Sequence, residues 1–310
     1  MALAIFLSIK VGVDNRCVIM DRVTTKTTDI IRRFDVGIMQ GRLLPMRENR
    51  YQGFPGDNWA AEFALAKKAK LRYIEWVFDQ ATASINPLQF KSGIREIKRV
   101  VEETDVKVVS LCANYFMTNR LISENGLLNM EAIEKFCWLT KRAEEIGIIY
   151  IVLPILEESS LLPKNEFIGI TSVVDALLPS LEMTGVELLL ETDIPAERLL
   201  PILKKINHPL VGVNYDIGNS ASMGYNPLHE LRILSTWVRG VHVKDRVKNG
   251  STVPLGQGHA DFQTCFRTLL ENGFNRWLIL EAARRDDISN FEAANSYRQF
   301  VENQIHRLVI

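Results

Sequence analysis

The sequence predicts an α/β fold, a single (β/α)₈ TIM barrel with a short N-terminal extension. Apolar segments of about four to eight residues, the length of a buried strand, alternate with longer segments of helical periodicity from Asp35 onward. Because parallel strands are joined by crossover helices, this alternation favours a parallel sheet. Eight such pairs match the size of a barrel, typically about 250 residues. An open doubly wound sheet is the rival, but the first turn, MQGRLLP, lacks the glycine pattern of nucleotide-binding sheets.

Eight short segments are predicted to be strands because Val, Ile and Leu dominate them. In chain order, they are residues 35–40, 71–78, 106–113, 148–154, 186–191, 211–216, 238–245 and 277–281. Helices are predicted between them where apolar residues recur every three or four positions. In chain order, these are residues 59–70, 87–104, 130–146, 165–183, 195–206, 227–236, 261–271 and 290–307.

Capping residues and helix breakers set the limits of these helices. A cap or a proline introduces five of them, namely Asp57 or Asn58, Pro87, Pro195, Pro227 and Asp261. A glycine ends three of the eight helices, namely Gly147, Gly185 and Gly273. No linker or tandem repeat interrupts the series, so we expect one domain over residues 34–310.

Composition excludes several classes of protein. The 310 residues are 47% hydrophobic and 24% charged, which is typical of a soluble globular protein. The 37 basic and 37 acidic residues balance, which argues against a strongly electrostatic nucleic-acid binder. The four cysteines show no paired spacing, so neither a zinc–thiolate site nor a disulfide framework is expected. A reducing, cytoplasmic location is therefore predicted. No membrane partner is expected, because no apolar run approaches the ~18 residues of a span.

Residues 1–33 match the rest of the chain poorly. The stretch TTKTTDIIRR is polar and rich in threonine, and the first convincing core strand begins only near Asp35. The short apolar stretch at the start lacks a basic flank and a small-residue cleavage site, so it does not resemble a signal peptide. We expect an N-terminal extension that packs weakly.

Four successive predicted strands end in a side chain that can bind a metal. These are Glu191, Asp216, His242 and Glu281, at the ends of strands five to eight. Such side chains are costly to bury without a partner. In a barrel they would meet at the C-terminal face, where active sites lie. Three carboxylates and one imidazole suit one divalent cation, and Mn²⁺, Zn²⁺, Co²⁺ and Mg²⁺ all remain open.

Strand parity and strand position suggest further contacts with a substrate. Lys244 shares a strand face with His242 and lies nearer the pocket mouth, whereas Asp245 points away, toward a loop or helix. Weaker candidates are Gln40 after the first strand, Glu75 after the second and His259 in the loop after the seventh. For Glu75 a surface or loop role, and for His259 a place at a helix N-terminus, are equally good interpretations.

The segments LLLETD, YDIGNS, VHVKD, PLGQGHADF and LILEAA resemble the signature segments of the xylose isomerase-like TIM barrel superfamily. That superfamily contains sugar and sugar-phosphate isomerases and epimerases, and also endonuclease IV. The resemblance covers residues 35–305 and is most specific in strands five to eight. It implies that Glu191, Asp216, His242 and Glu281 hold one metal ion and that the two glutamates are the acid/base pair. It also implies that Asn219 faces the substrate and that Arg246 or Lys244 supplies a basic contact.

The chemistry of these residues agrees with an isomerase or epimerase of a sugar or sugar phosphate. Such an enzyme removes a proton next to a carbonyl, and a metal stabilises the enediolate that results. Glu191 and Glu281 could act on opposite faces of that planar species. The expected partner is therefore a small sugar or sugar phosphate, which the sequence does not specify further. Assembly into a homo-oligomer is left open.

Three other functions compete with this interpretation. A dehydratase of a keto-polyol needs much the same metal and base, so the sequence separates it poorly. An endonuclease IV-like site would hold three metals and need further histidines, but the corresponding positions are Glu75, Cys112 or Asn114, and Asn219. Together with the neutral charge, this argues against nucleic acid as a partner. A non-catalytic sugar-binding barrel is disfavoured by the intact set of four ligands.

Overall fold

The computed structural model describes residues 34–48, 50–123 and 125–308, and within them eight parallel strands close into a barrel. In chain order, the barrel strands are β1 Val36–Met39, β2 Tyr73–Val77, β3 Lys107–Cys112, β4 Tyr150–Ile155, β5 Glu187–Thr192, β6 Val211–Asp216, β7 Val238–Val243 and β8 Leu278–Leu280. Each strand pairs with its neighbours in sequence, and β8 pairs with β1 to close the ring. The predicted fold is confirmed. The predicted extension, residues 1–33, lies outside the described residues.

Helices follow the strands as expected and surround the barrel. In chain order, they are α1 Ala61–Lys68, α2 Lys91–Thr104, α3 Met130–Glu145, α4 Pro163–Thr184, α5 Ala196–Ile206, α6 Pro227–Ile233, α7 Phe262–Glu271 and α8 Asn290–His306. Glycine ends α4 as predicted, because Gly185 adopts a left-handed conformation with φ of 69°. The second helix begins at Lys91, later than predicted, because Pro87 instead begins a separate 3₁₀ turn, Pro87–Gln89.

Two short helices, Tyr115–Thr118 and Ile217–Met223, were not predicted. The second begins directly after β6 because the side chain of Asp216 accepts a hydrogen bond from the Asn219 amide at 2.8 Å. Gly224 ends it in a left-handed conformation. The chain therefore turns sharply at the mouth of the barrel, which places Asn219 one helical turn above Asp216.

Strand β7 is shorter than predicted and ends at Val243 rather than Asp245. Beyond Lys244, Asp245–Arg246 pairs with Thr252–Val253 as a small antiparallel ribbon. The prediction was wrong here because the apolar and polar alternation continues from the barrel strand into the ribbon. The ribbon carries Arg246 over the C-terminal face of the barrel.

Aromatic side chains fill the N-terminal end of the barrel. The rings of Tyr150 and Trp277 stack with centroids 5.8 Å apart, and the Trp277 indole donates to the Tyr150 hydroxyl at 3.0 Å. Tyr73 packs on the other side of Trp277, at 5.2 Å. Because this end is closed by large rings, the space for a ligand lies at the opposite, C-terminal end.

Helix α4 is long and apolar enough, by length and composition alone, to cross a membrane. Its buried side chains include Ile170, Val174 and Leu177, which belong to the hydrophobic core of the barrel. A core helix of a barrel passes the same test of length and hydropathy, so these two properties alone do not indicate a span.

Candidate active site

The structure brings the four predicted metal ligands together at the C-terminal end of the barrel. One ligand atom from each of Glu191, Asp216, His242 and Glu281 lies within 4.8 Å of the others, and all four residues are buried. The strand register produces this convergence, because Asp216 on β6 lies beside His242 on β7. On β8, Ile279 lies beside His242. Glu281 follows two residues later, just past the end of the strand. The four side chains thus converge at the barrel mouth.

The imidazole of His242 is held in one orientation. Its Nε2 lies 2.8 Å from Oε1 of Glu75, and an ionised carboxylate can only accept, so Nε2 carries a proton. Its Nδ1 faces Oε2 of Glu281 at 2.9 Å and Oε2 of Glu191 at 3.1 Å. Neither contact has the alignment of a hydrogen bond, and Nδ1 has no hydrogen-bond partner. A buried nitrogen and two carboxylate oxygens thus face one another.

This arrangement attracts a positive charge. Burial alone would lower the pKa of His242, but the carboxylates of Glu75 and Glu191 raise that pKa well above its ordinary value. A divalent cation would supply the same charge while its ligands keep their lone pairs. Oδ2 of Asp216 is also buried without a hydrogen bond. The residues present therefore fit a metal ion with oxygen and nitrogen ligands.

Lys244 lies among these carboxylates, as its strand parity with His242 predicts. Its Nζ is 2.6 Å from Oε1 of Glu281 and 2.9 Å from Oδ2 of Asp216. Burial would lower the pKa of Lys244, but Asp216 and Glu281 raise it, so the ammonium stays charged. Arg42 adds a second cation, with Nη2 3.8 Å from Oε1 of Glu281. Burial would raise the pKa of Glu281, but Lys244 and His242 hold it well below its ordinary value.

Apart from His242, which faces both carboxylates, Glu191 has neutral partners where Glu281 has cations. The side-chain amides of Asn214 and Asn219 donate to its two oxygens at 3.0 and 3.2 Å. Burial raises the pKa of Glu191 above its ordinary value. Asn214 was not predicted as a site residue, although a polar residue two positions before Asp216 on a buried strand shares its face and is the available signal.

A cavity of about 520 Å³ opens above this cluster, a volume typical of small-molecule sites. Five of the predicted site residues form part of its wall, namely Glu191, Asn219, Lys244, Arg246 and Glu281. Arg246 is connected to the others through Asn219, because its Nη1 donates to Oδ1 of Asn219 at 2.8 Å. The two basic candidates of the sequence analysis therefore both reach the cavity.

Three predicted substrate contacts are not among the residues of the cavity wall. Glu75 is completely buried behind His242, and Gln40 is 1% exposed, with Oε1 accepting from the Val77 amide at 3.0 Å. His259 is exposed on the loop after β7, and its Nδ1 accepts from the Lys248 amide at 3.1 Å. Contact of these three with substrate stays a prediction. Each of the three contacts protein atoms instead: Glu75 contacts the His242 imidazole, Gln40 a strand end and His259 a loop.

Asp245 makes the loop contact that its strand parity suggested. It is completely buried and accepts from the amides of Gly256, Gly258 and Ala260 at 2.8, 2.9 and 3.1 Å. The carboxylate thus fixes the second half of the loop after β7 through these three amides. Because Arg246 follows directly, the same contacts hold that arginine over the cavity.

The loop after β1 supplies a wall of the cavity that the sequence analysis did not foresee, with Arg50, Tyr51 and Gln52. Arg284, just beyond Glu281, fixes this loop by donating to the Leu44 and Tyr51 carbonyls at 2.8 and 3.2 Å. The buried carboxylate of Glu62 accepts from the Gly41 and Leu43 amides. No local pattern marks these contacts, since they join residues far apart in the chain.

The closed parallel barrel and the buried Glu–Asp–His–Glu cluster at its mouth define a (β/α)₈ barrel with a candidate metal centre. The chain belongs to the xylose isomerase-like TIM barrel family, whose model matches residues 63–302. It is 26% identical over 234 residues to the L-ribulose-5-phosphate 3-epimerase UlaE of Shigella flexneri serotype 5b. That match covers 71% of this chain and 80% of the relative.

Two solved structures show the same fold. One is a D-psicose 3-epimerase from Clostridium cellulolyticum H10 with D-tagatose, with a TM-score of 0.69 and 15% identity over 88% of this chain and 99% of that one. The other is the IOLI protein with a bound zinc atom, with a TM-score of 0.70 and 19% identity over 89% of this chain and 99% of that one. At these identities the likeness concerns the fold.

Proposed function

We propose that the protein is a metal-dependent isomerase that epimerises or isomerises a ketose by moving a proton next to its carbonyl. The observation that carries the proposal is the placement of Glu191 and Glu281. They come from the non-adjacent strand ends β5 and β8, both form part of the cavity wall, and both lie beside Nδ1 of His242. The names of UlaE and of the D-psicose 3-epimerase, both ketose epimerases, support the same class of reaction.

The residues that would hold the metal are Glu191, Asp216, His242 and Glu281. Nδ1 of His242 and Oδ2 of Asp216, both buried without a hydrogen bond, support this assignment, as does the zinc in the IOLI structure. A bound divalent ion would polarise the carbonyl group of the substrate and ease removal of the neighbouring proton. One ion per chain is proposed, and the ligand types suit Mn²⁺, Zn²⁺, Co²⁺ and Mg²⁺.

The two glutamates would exchange a proton with opposite faces of the substrate. One carboxylate takes the proton from the carbon next to the carbonyl, and the other returns a proton to the opposite face, which inverts that carbon. The protein supports the pair differently on each side. Amides of Asn214 and Asn219 orient Glu191, whereas the ammonium of Lys244 orients Glu281.

Three residues of the wall would position the substrate. Asn219, Lys244 and Arg246 carry N–H donors and form part of the cavity wall beside the two glutamates. Sugar oxygens accept such hydrogen bonds, and several fixed donors give a polyhydroxy substrate one orientation. These residues therefore hold the reacting carbon between the two carboxylates.

The test is proton exchange in deuterium oxide. Protein loaded with Mn²⁺ is incubated with a panel of ketoses and ketose phosphates, and products are followed by proton NMR. We expect deuterium next to the carbonyl together with an epimer or isomer, and neither in protein treated with chelator. A dehydrated product would instead indicate the keto-polyol dehydratase. Absence of exchange with every member of the panel, while metal is bound, would contradict the proposal.

A further inference from the structure

The charged residues at the mouth of the cavity indicate which form of sugar the site accepts, an inference that rests on the proposed function. Besides the cluster residues Glu191, Lys244 and Glu281, the charged side chains of the wall are Arg50, Asp79, Glu157, Glu158 and Arg246, and these five define the mouth. Among the described residues, two cations thus face three carboxylates there. The mouth carries a net negative charge before any substrate enters.

Arg50 is already neutralised by a carboxylate that is rigidly held. Its Nη1 lies 3.1 Å from Oδ1 of Asp79. Asp79 is 8% exposed and also accepts from the amides of Phe54 at 2.7 Å and Thr82 at 2.9 Å. Because Asp79 keeps these backbone partners, it cannot move away to leave Arg50 to a ligand.

The guanidinium of Arg246 also has protein partners already. Its Nη1 donates to Oδ1 of Asn219 at 2.8 Å and to Oε1 of Glu157 at 3.3 Å, and its Nε donates to the Gly250 carbonyl at 3.1 Å. Its charge is therefore shared with Glu157, and its planar group is fixed by Asn219 and the loop backbone. A second anion would compete with Glu157 for the same guanidinium.

The wall also contains neutral polar side chains beside the charged pairs. Amide and hydroxyl side chains surround the charged pairs, namely Gln52, Gln80, Asn114, Thr118, Ser251 and Thr252. Each of these groups can both donate and accept hydrogen bonds, as sugar hydroxyls do. Such a wall matches a chain of hydroxyl groups without requiring any charge on the substrate.

We propose that the cavity selects an uncharged polyhydroxy ketone and disfavours its phosphate ester, with Asp79, Glu157 and Glu158 as the specificity-determining residues. A phosphate dianion would enter a partly buried mouth of the same sign, where charges interact more strongly than in water. Rejection by a like charge is an established way to separate two otherwise similar ligands. This preference would distinguish the protein from UlaE, whose name specifies a phosphorylated ketose.

The experiment compares free ketoses with their terminal phosphates, using Mn²⁺-loaded protein. Suitable pairs are L-ribulose and L-ribulose 5-phosphate, D-xylulose and D-xylulose 5-phosphate, and D-fructose and D-fructose 6-phosphate. We expect kcat/KM to be about tenfold or more higher for the free ketose of the pair that reacts best. A higher kcat/KM for the phosphate would overturn this inference and leave the proposed function intact. No turnover or deuterium exchange with any member would overturn the proposed function itself.

A charge variant tests the cause. The double substitution Glu157→Gln and Glu158→Gln removes two negative charges from the mouth and should shift the kcat/KM ratio several-fold toward the phosphate. The matched control is Glu134→Gln with Glu144→Gln, which makes the same charge change on the exposed side of α3. The control should keep the wild-type ratio. Equal shifts in both variants, or none in the mouth variant, would show that these carboxylates do not set the preference.

Discussion

The Oε1 atom of Glu75 lies 2.8 Å from Nε2 of His242, and both side chains are completely buried. The contact crosses the barrel interior, because β2 and β7 are separated by β1 and β8 in the ring. It fixes the tautomer of the imidazole and turns Nδ1 toward Glu191 and Glu281. A carboxylate behind a histidine is a common way to orient a metal ligand and raise its basicity.

Replacing Glu75 should therefore weaken metal binding without removing a ligand. We expect Glu75→Gln to lower the affinity for Mn²⁺ or Zn²⁺ by about 10- to 100-fold, because the amide is a poorer acceptor for the Nε2 proton. Competition with a chelating dye measures the change. The exposed Glu134→Gln serves as the control. An unchanged affinity in folded Glu75→Gln protein would remove the orienting role.

Glu191→Gln and Glu281→Gln should each abolish turnover while the fold is retained. The side-chain volume hardly changes, but loss of a general base typically costs about 10²- to 10⁴-fold in rate. If each glutamate serves one face, a variant that keeps its metal should still exchange the proton of one epimer with deuterium, and leave the other epimer unlabelled. Proton NMR and metal analysis of the same sample decide this. Full activity in both metal-loaded variants would refute the two-base mechanism.

Metal content should be one divalent ion per chain, and its removal should lower thermal stability. A ligand present at 100 times its Kd stabilises the folded state by about 2.7 kcal/mol. The expected results are one equivalent by elemental analysis and a lower Tm after chelation, restored by Mn²⁺. Three ions per chain would instead agree with an endonuclease-type centre.

Asn219 and Arg246 should contribute to substrate binding as a coupled pair. Asn219→Ala removes the link between Arg246 and Glu191 and should cost about 1 kcal/mol, close to a fivefold change in kcat/KM. Because the two side chains are hydrogen-bonded to each other, the double variant should lose less than the two single losses combined. Steady-state kinetics of the four proteins form the cycle. Strict additivity would show that the link has no part in binding.

Asp245 should contribute to the free energy of unfolding, because its carboxylate holds three amides of the loop after β7. Asp245→Ala leaves three backbone amides without an acceptor, and we expect a loss of about 3 kcal/mol in the free energy of unfolding. Urea denaturation measures it. The control is Asp287→Ala, whose exposed carboxylate pairs with Arg285 and should contribute less than about 0.5 kcal/mol. Similar losses in the two variants would contradict the anchoring role.

The outcome for individual residues shows what local patterns can reveal. Asp216 is predicted to be a strand-end metal ligand, and the same carboxylate begins the helix Ile217–Met223, which the sequence did not predict. A cap and a metal ligand look alike in sequence, and here one side chain has the geometry for both. Arg42 and Arg284 lie in loops and contact residues far away in the chain, so no local pattern separates them from exposed arginines.

The sequence by itself determined the order of strands and helices and the four polar residues at the ends of strands five to eight. Both depend on residues close together in the chain, namely an apolar run and the side chain that follows it. Only the tertiary structure decided which residue lies behind His242 and which partners each glutamate has. Glu75 and His242 are 167 residues apart, and their contact depends on the angular position of two strands around a closed barrel. Amides around Glu191 and cations around Glu281 likewise come from other strands and loops, which meet only once the barrel has closed.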